Sequence, residues 1–285
     1  MTATAPDAPR AAGVAALPTR EQVLPQAGSE NFTVASRLLG RRRARHLMAI
    51  YGFARLVDDV GDEAPGDRLA LLDVVSAELH RAVSHRTSDP PQHPLMRDLA
   101  ETVRECRLPI GPFERLIEAN RTDQRVTRYE TFGALLDYCQ LSAAPVGELV
   151  LGVFDAATPR RVALSDRVCA GLQVVEHLQD IAEDHARGRV YMPREDLDRF
   201  GCGEADLAGA DTPSASLRAL IVFEATRARA LLGSGGPLAR TLPPAPRLAV
   251  AGFTAGGARA LDRLDRRPAG RSAFLWTLLR TAGGR

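Results

Sequence analysis

Tyr51-Gly52-Phe53-Ala54-Arg55-Leu56-Val57-Asp58-Asp59-Val60-Gly61-Asp62 is the stretch whose reading decides the fold. At about 100° per residue, Leu47, Ile50, Ala54, Val57 and Gly61 form one apolar stripe, and Phe53, Leu56 and Val60 cover a second side. A helix that is apolar around most of its circumference belongs in the interior of a bundle. Yet Asp58 and Asp62 lie one turn apart at the edge of the main stripe, beside Tyr51. Like charges at this spacing destabilise a helix by roughly 0.2–0.5 kcal/mol. Half-buried carboxylates cost more still unless they are paired or bound to metal. Asp59 and Glu63 project elsewhere and read as surface acids.

A second acidic set lies far along the chain. Gln173, Glu176, Asp180 and Asp184 fall within about an 80° arc of one helical surface, with Val174, Val175, Leu178 and Ile181 on the other side. Alone, this is compatible with an ordinary solvated acidic face. Two features shift the reading. The first pair sits on a nearly all-apolar helix, and Arg187-Gly188-Arg189-Val190-Tyr191 follows the second. Facing carboxylate sets repel unless divalent cations and a polyanion lie between them. Mg2+ is usually held by one or two carboxylates together with substrate phosphates. The pattern therefore suggests several Mg2+ ions shared with a diphosphate, with Glu176 extending the ligand set by a turn. Arg55 and Arg189 would neutralise remaining phosphate charge. A charge pair at about 4 Å contributes about 4 kcal/mol at an effective dielectric near 20. Several such contacts can stabilise a departing diphosphate and promote ionisation of a carbon–oxygen bond.

The resulting cation needs an apolar, water-poor pocket. Leu141-Ser142-Ala143-Ala144-Pro145-Val146-Gly147 suits one wall, and Pro145 should bend its helix and free the Leu141 carbonyl. Tyr51 and Tyr138 have faces suited to a carbocation, although each also serves as an ordinary core aromatic. His46, His177 and His185 show no triad or metal spacing and read as structural.

Around these segments the punctuation predicts helices over 31–39, 42–61, 67–86, 94–106, 111–124, 131–154, 159–187, 214–233, 244–263 and 270–281. The stretches 201–212 and 281–285 read as mobile. The expectation is one all-α domain over 26–282, preceded by a disordered Ala/Pro-rich extension over 1–25 and followed by a tail at 283–285.

Composition narrows the function classes. A net charge of +2 over 285 residues gives no reason to expect nucleic acid. All 37 basic residues are Arg, so Lys Schiff-base chemistry and a P-loop are excluded. Four cysteines without a CxxC pattern fit reduced thiols and a cytoplasmic setting. No apolar run approaches the ~18 residues of a membrane span.

Together, the 51–62 motif and Gln179-Asp180-Ile181-Ala182-Glu183-Asp184-His185-Ala186-Arg187-Gly188-Arg189-Val190-Tyr191 resemble the squalene/phytoene synthase family, over about residues 30–280. The resemblance implies an isoprenoid synthase helical bundle enclosing a central active-site cavity, a Mg2+ cluster and isoprenoid diphosphate substrates. Glu30-Asn31-Phe32-Thr33-Val34-Ala35-Ser36-Arg37-Leu38-Leu39 and Tyr138-Cys139-Gln140-Leu141-Ser142-Ala143-Ala144-Pro145-Val146-Gly147 are most similar to its hydroxysqualene-forming branch in bacterial hopanoid biosynthesis. By that similarity Asp58, Asp62, Asp180 and Asp184 bind metal. Ser29, Asn31, Phe32, Tyr51, Arg55, Tyr138, Gln173, Arg189 and Tyr191 fall at positions associated with the substrate pocket. Glu176 and Ala144 depart from the pattern, since both positions often hold Asn.

The expected reaction converts presqualene diphosphate to hydroxysqualene, with diphosphate loss and water capture of the cation. It needs no nicotinamide cofactor. The alternatives are head-to-head condensation of two prenyl diphosphates, a non-catalytic helical scaffold, or a regulator with merely acidic helix faces. The apolar substrate leads to an expectation of peripheral membrane contact and of coupling to other squalene-pathway enzymes.

Overall fold

The computed structural model describes residues 13–25, 40–84, 88–210 and 212–266. Their regular structure is helical, apart from one isolated parallel bridge between Arg128 and Val190. The all-α expectation therefore holds. In chain order the helices are α1 (Arg20–Val23), α2 (Arg41–Asp62), α3 (Arg68–Val83), α4 (Pro94–Cys106), α5 (Gly111–Asp123), α6 (Phe132–Ser142) and α7 (Ala144–Val153). There follow α8 (Pro159–Gln179), α9 (Ile181–Ala186), α10 (Arg194–Phe200), α11 (Glu204–Leu207), α12 (Ala215–Leu232), α13 (Gly235–Thr241) and α14 (Pro244–Arg266).

Local chemistry starts several of these helices where the sequence says it should. Asp67, Thr131, Thr158 and Ser214 each accept a backbone N–H from the first turn. Pro94, Pro112, Pro145 and Pro159 occupy first-turn positions, where a missing N–H costs nothing.

Two expected long helices are each divided. The helix expected over 131–154 breaks at Ala143 (φ −114°, ψ −45°), because Pro145 has no N–H to donate to Leu141. That expected over 159–187 turns at Asp180 (φ −103°, ψ 15°). Helical hydrogen bonding survives this turn: Asp180 N–H donates to Glu176 O at 3.0 Å, and Asp184 N–H to Asp180 O at 2.8 Å.

The disordered extension expected over 1–25 is corrected for residues 13–25. Leu17 and Val23 are buried, the Pro18 carbonyl meets His93 Nε2 at 3.0 Å, and Arg20 pairs with Asp98 at 2.5 Å. A few apolar anchors suffice to dock a segment whose average composition reads as unstructured. Residues 201–210 likewise pack rather than float, with α11 and the buried Cys202, Leu207 and Ala210. The helices α10 and α13 were not expected. The helices expected over 31–39 and 270–281, and the 281–285 tail, lie outside the described residues.

Two apolar clusters form the core. The first gathers α2, α3, α4, α5 and α7 around Phe53, Leu56, Leu72, Met96 and Phe113. The second gathers α6, α8, α12 and α14 around Leu135, Val175, Leu217, Leu220 and Leu261. Helix α2 packs on α5 and α7, while α8 packs on α6, α7 and α12. Among the described residues α2 and α8 share little or no direct backbone packing. Helices α5, α6 and α7 therefore connect the two acidic helices.

Helix α8 approaches α12 closely at Gly171, where an added Cβ would lie 3.0 Å from Leu231 Cβ and 3.1 Å from Leu232 N. Backbone cannot swing aside as a side-chain tip can. Gly171→Ala should cost about 1–3 kcal/mol by overpacking, read as a lower urea midpoint at unchanged slope.

Candidate active site

Asp58 is reached by solvent, yet protein surrounds it closely enough that lost hydration raises its carboxyl to about 6. Asn120 Nδ2 donates to Asp58 Oδ1 at 3.1 Å and partly offsets this, while Asp62 adds repulsion. A carboxylate that is wet but walled in is one that lines a crevice. Asp59, expected at the surface, is instead the buried acid of α2, and its Oδ1 receives Arg55 at 2.7 Å. This corrects the surface reading of Asp59. Arg55 is engaged along its own helix by Asp59, with Glu63 at 3.8 Å, rather than standing free beside Asp58.

The second acidic set is brought into the same field. Burial raises Glu176 to about 8, and Asp180, Asp184 and Asp58 all add to the shift. Asp58 therefore lies near enough to Glu176 for their charges to interact, which couples the two sets. Burial and the neighbouring Asp184 and Glu183 raise Asp180 to about 7, against the pull of Arg187. Among the described residues, Glu176 Oε2 and Asp180 Oδ1 are buried without a hydrogen-bond partner. Orphaned buried carboxylate oxygens are the donors a hard cation takes. No three His, Cys, Asp or Glu side chains among the described residues form a protein-only metal cluster. A metal held here must draw further ligands from something else.

Arg189 joins the two halves. Its Nη2 donates to Asp62 Oδ1 at 2.8 Å, across 127 residues of sequence. Burial works against its charge, but Asp62, Tyr191 and Asp123 outweigh this and hold Arg189 above the ordinary guanidinium value. Tyr191 stacks on His177 with ring centroids 3.7 Å apart and planes 12° apart. Tyr138 and Tyr129 complete an aromatic group, with centroids 5.8 Å from Tyr191 in each case. Gln173 Nε2 lies 3.4 Å from His177 Nε2, and His177 Nδ1 is 3.8 Å from Asp184 Oδ2. Tyr51 is half-buried and close enough to Arg55 to influence its charge. Gly147 of the expected pocket wall is used for packing: a Cβ there would meet Ser165 Oγ at 2.4 Å. Ser29, Asn31 and Phe32 lie outside the described residues.

Sequence reasoning missed three side chains. Asn120 and Asp123 both come from α5, and His177 had been read as merely structural. Asp123 Oδ2 accepts the Tyr138 hydroxyl at 2.8 Å, and burial raises this carboxyl to about 6 despite that bond and Arg189. Asn120 reaches Asp58 because Gly61 has no side chain; a Cβ there would lie 2.0 Å from Asn120 Oδ1. The Gly61 placed between Asp58 and Asp62 was the available signal.

An all-helical bundle with opposed acid sets, a bridging Arg and an adjacent aromatic wall defines a site for a polyanion joined to an apolar group. Residues 25–280 match the squalene/phytoene synthase family, and the chain belongs to it. Members of this family act on isoprenoid diphosphates. A hydroxysqualene synthase of Rhodopseudomonas palustris is 38% identical over 214 residues, covering 74% of this chain and 70% of the relative. A phytoene synthase of Mycobacterium tuberculosis is 33% identical over 204 residues, covering 70% and 66%. Among solved structures, squalene synthase HpnC from Alicyclobacillus acidocaldarius superposes with a TM-score of 0.75 at 38% identity, covering 89% of this chain and 97% of that one.

The crowded carboxylates give a pH signature in the metal-free protein. Glu176 at about 8, Asp180 at about 7 and Asp58 at about 6 all exceed their unfolded values near 4. Between about pH 4 and 8 the folded state thus binds more protons than the unfolded state, and stability falls as pH rises. Glu176→Gln should raise the chelator-treated Tm by roughly 2–6 °C at pH 8 and change it little at pH 5, as checked by calorimetry.

Proposed function

We propose that the protein converts presqualene diphosphate to hydroxysqualene in a Mg2+-dependent reaction. The observation that carries the reading is the Asp58–Glu176–Asp180–Asp184 field, closed on one side by Arg189 and on another by aromatic rings. Similarity to hydroxysqualene synthases at 35–38% identity supports the choice of skeleton.

The donor set fits Mg2+, being all carboxylate with unpartnered buried oxygens. Asp58, Asp62, Glu176, Asp180 and Asp184 would hold the ions. When bound, Mg2+ supplies charge neutralisation for the leaving diphosphate. Arg189 contributes a permanent cation beside Asp62, able to bind phosphate oxygen as the carbon–oxygen bond breaks. The electron pair of that bond leaves with the diphosphate. The Tyr138, Tyr191 and Tyr129 rings exclude bulk water and offer π-faces to the rearranging cation.

Water then adds to the allylic cation and must lose one proton. In this reading the Tyr138 oxygen accepts it while the Tyr138 hydroxyl passes its own proton to Asp123. With a carboxyl at about 6, Asp123 is mostly ionised at pH 7 yet a stronger base than an ordinary aspartate. The balance is presqualene diphosphate plus water giving the alcohol, free diphosphate and one proton, which rests on Asp123. A second reading, condensation of two prenyl diphosphates, is favoured by the phytoene synthase relatives at 33% identity.

Incubation of the purified protein with Mg2+ and either presqualene diphosphate or farnesyl diphosphate separates the two. Hydroxysqualene from presqualene diphosphate is expected; turnover of farnesyl diphosphate alone would sink the proposal. Asp58→Asn and Asp180→Asn should each lower kcat at least about a hundredfold and abolish Mg2+-dependent thermal stabilisation by inorganic diphosphate. Asp123→Asn should lower alcohol formation about a hundredfold while preserving that thermal stabilisation.

A further inference from the structure

Arg189 and Tyr191 reach the site from a short segment between α9 and α10. Residues 127–130 run alongside 188–195: Val190 N–H donates to Thr127 O at 2.9 Å, Arg194 N–H to Tyr129 O at 2.9 Å, and Glu195 N–H to Glu130 O at 3.0 Å. This ribbon borders a cleft of about 250 Å3 lined by Val190, Met192, Leu197 and Cys202. Val190, Tyr191 and Met192 are buried, whereas the turn at Gly188 that precedes them is exposed and depends on its hydrogen bonds for its position.

One side chain spans the rim of that cleft. Arg128 donates through Nε and Nη2 to both carboxylate oxygens of Glu204 on α11, at 2.6 and 2.8 Å. Its Nη1 donates to the Gly188 carbonyl at 2.7 Å and to the Thr127 carbonyl at 2.8 Å. Gly188 lies at φ +81°, in the left-handed region where glycine is the unstrained residue, one position before Arg189. The guanidinium therefore uses all three nitrogens. Two grip a helix outside the site, and the third grips the turn that aims Arg189 inward. Glu204 is held below the usual carboxylate range chiefly by its hydrogen bond from Arg128, so the pair persists in mildly acidic solution.

We propose that Arg128, locked by Glu204, is a positioning residue that fixes the Gly188–Tyr191 turn so that Arg189 meets the diphosphate of the substrate. The inference rests on the diphosphate reading of the site. Arg128 itself is exposed, and its hydrogen bonds go to Glu204, Thr127 and Gly188 rather than to Asp62, Tyr191 or His177. An exposed ion pair adds little to stability, whereas a displacement of about 1 Å in a binding group can cost up to about a hundredfold. Removing the latch should thus weaken diphosphate binding far more than it weakens the fold.

Calorimetric titration of the full chain with inorganic diphosphate in saturating Mg2+ tests this. Arg128→Gln should weaken binding about tenfold with the metal-free Tm within about 2 °C of the parent. Glu204→Gln should act in the same direction, and the double variant should bind no worse than Arg128→Gln alone, since the two act as one unit. Arg128→Lys should not rescue, because an ammonium cannot supply the fork and the carbonyl bond together. Arg189→Gln is the control that separates the two levels of inference. Weakened binding in Arg189→Gln with parental affinity in Arg128→Gln overturns the latch alone. Parental affinity in Arg189→Gln overturns the diphosphate reading and the latch with it. A large fall in Tm for Arg128→Gln would make the contact a scaffold element and overturn positioning.

Discussion

Carboxylate crowding is the constraint on which the rest of this structure depends. Asp58 on α2, Glu176 on α8, Asp184 on α9 and Asp180 at the turn between the last two share one field, and Glu176 carries the largest burden, raised to about 8. The bundle tolerates this in three ways. It keeps Asp58 in contact with water, it supplies the Asn120 amide to Asp58, and it sets Arg189 against Asp62. None of these neutralises Glu176 and Asp180, whose buried oxygens lack partners among the described residues. The fold thus stores an unmet demand for positive charge where a cation-bound polyanion would satisfy it. A site organised in this way is destabilising when empty and becomes favourable when ligand arrives, which couples binding to order.

Helix α5 is the element that makes the crowding tractable. It packs against α2 at Gly61, where the absent side chain lets Asn120 come within reach of Asp58. One turn later Asp123 takes the Tyr138 hydroxyl, and the neighbouring Gln124 donates to the Gly61 carbonyl at 2.9 Å. A single helix face therefore touches Asp58, the aromatic wall and the end of α2. The same helix belongs to the first apolar cluster through Phe113, Leu116 and Ile117. Rigid burial of that face is what fixes the polar side chains above it, since core packing tolerates little displacement.

The turn at Asp180 has a similar consequence for the second acid set. A straight helix over 159–187 would carry Arg189 and Tyr191 onward along the α8 axis. Breaking the axis at Asp180 and reversing at Gly188 instead returns the chain to lie beside 127–130. Tyr191 then stacks on His177 of α8, so the segment following the acids closes over the helix that bears them. His177 Nδ1 also lies 3.8 Å from Asp184 Oδ2, and Tyr138 sets its ring beside both His177 and Tyr191. Charged and apolar walls are thereby adjacent, as ionisation of an apolar diphosphate requires.

The sequence by itself determined the helical class, the central position of α2 and the two acid sets, because helical periodicity and the cost of half-buried charge are local properties of a chain. It also marked the Pro145 bend, and Gly61 was visible as a small residue between two acids. What it could not decide is that Asp59 is buried rather than at the surface, since only neighbouring helices define the inside. Arg55 went to Asp59 for that reason. Asn120, Asp123 and His177 carry no local signature, because their partners Asp58, Tyr138 and Tyr191 are 62, 15 and 14 residues away. The docking of residues 13–25 likewise depends on receiving surfaces from α2 to α4. Tertiary structure alone brought Arg189 to Asp62, since an ion pair spanning 127 residues exists only once the turn after α9 has been folded back to the end of α2.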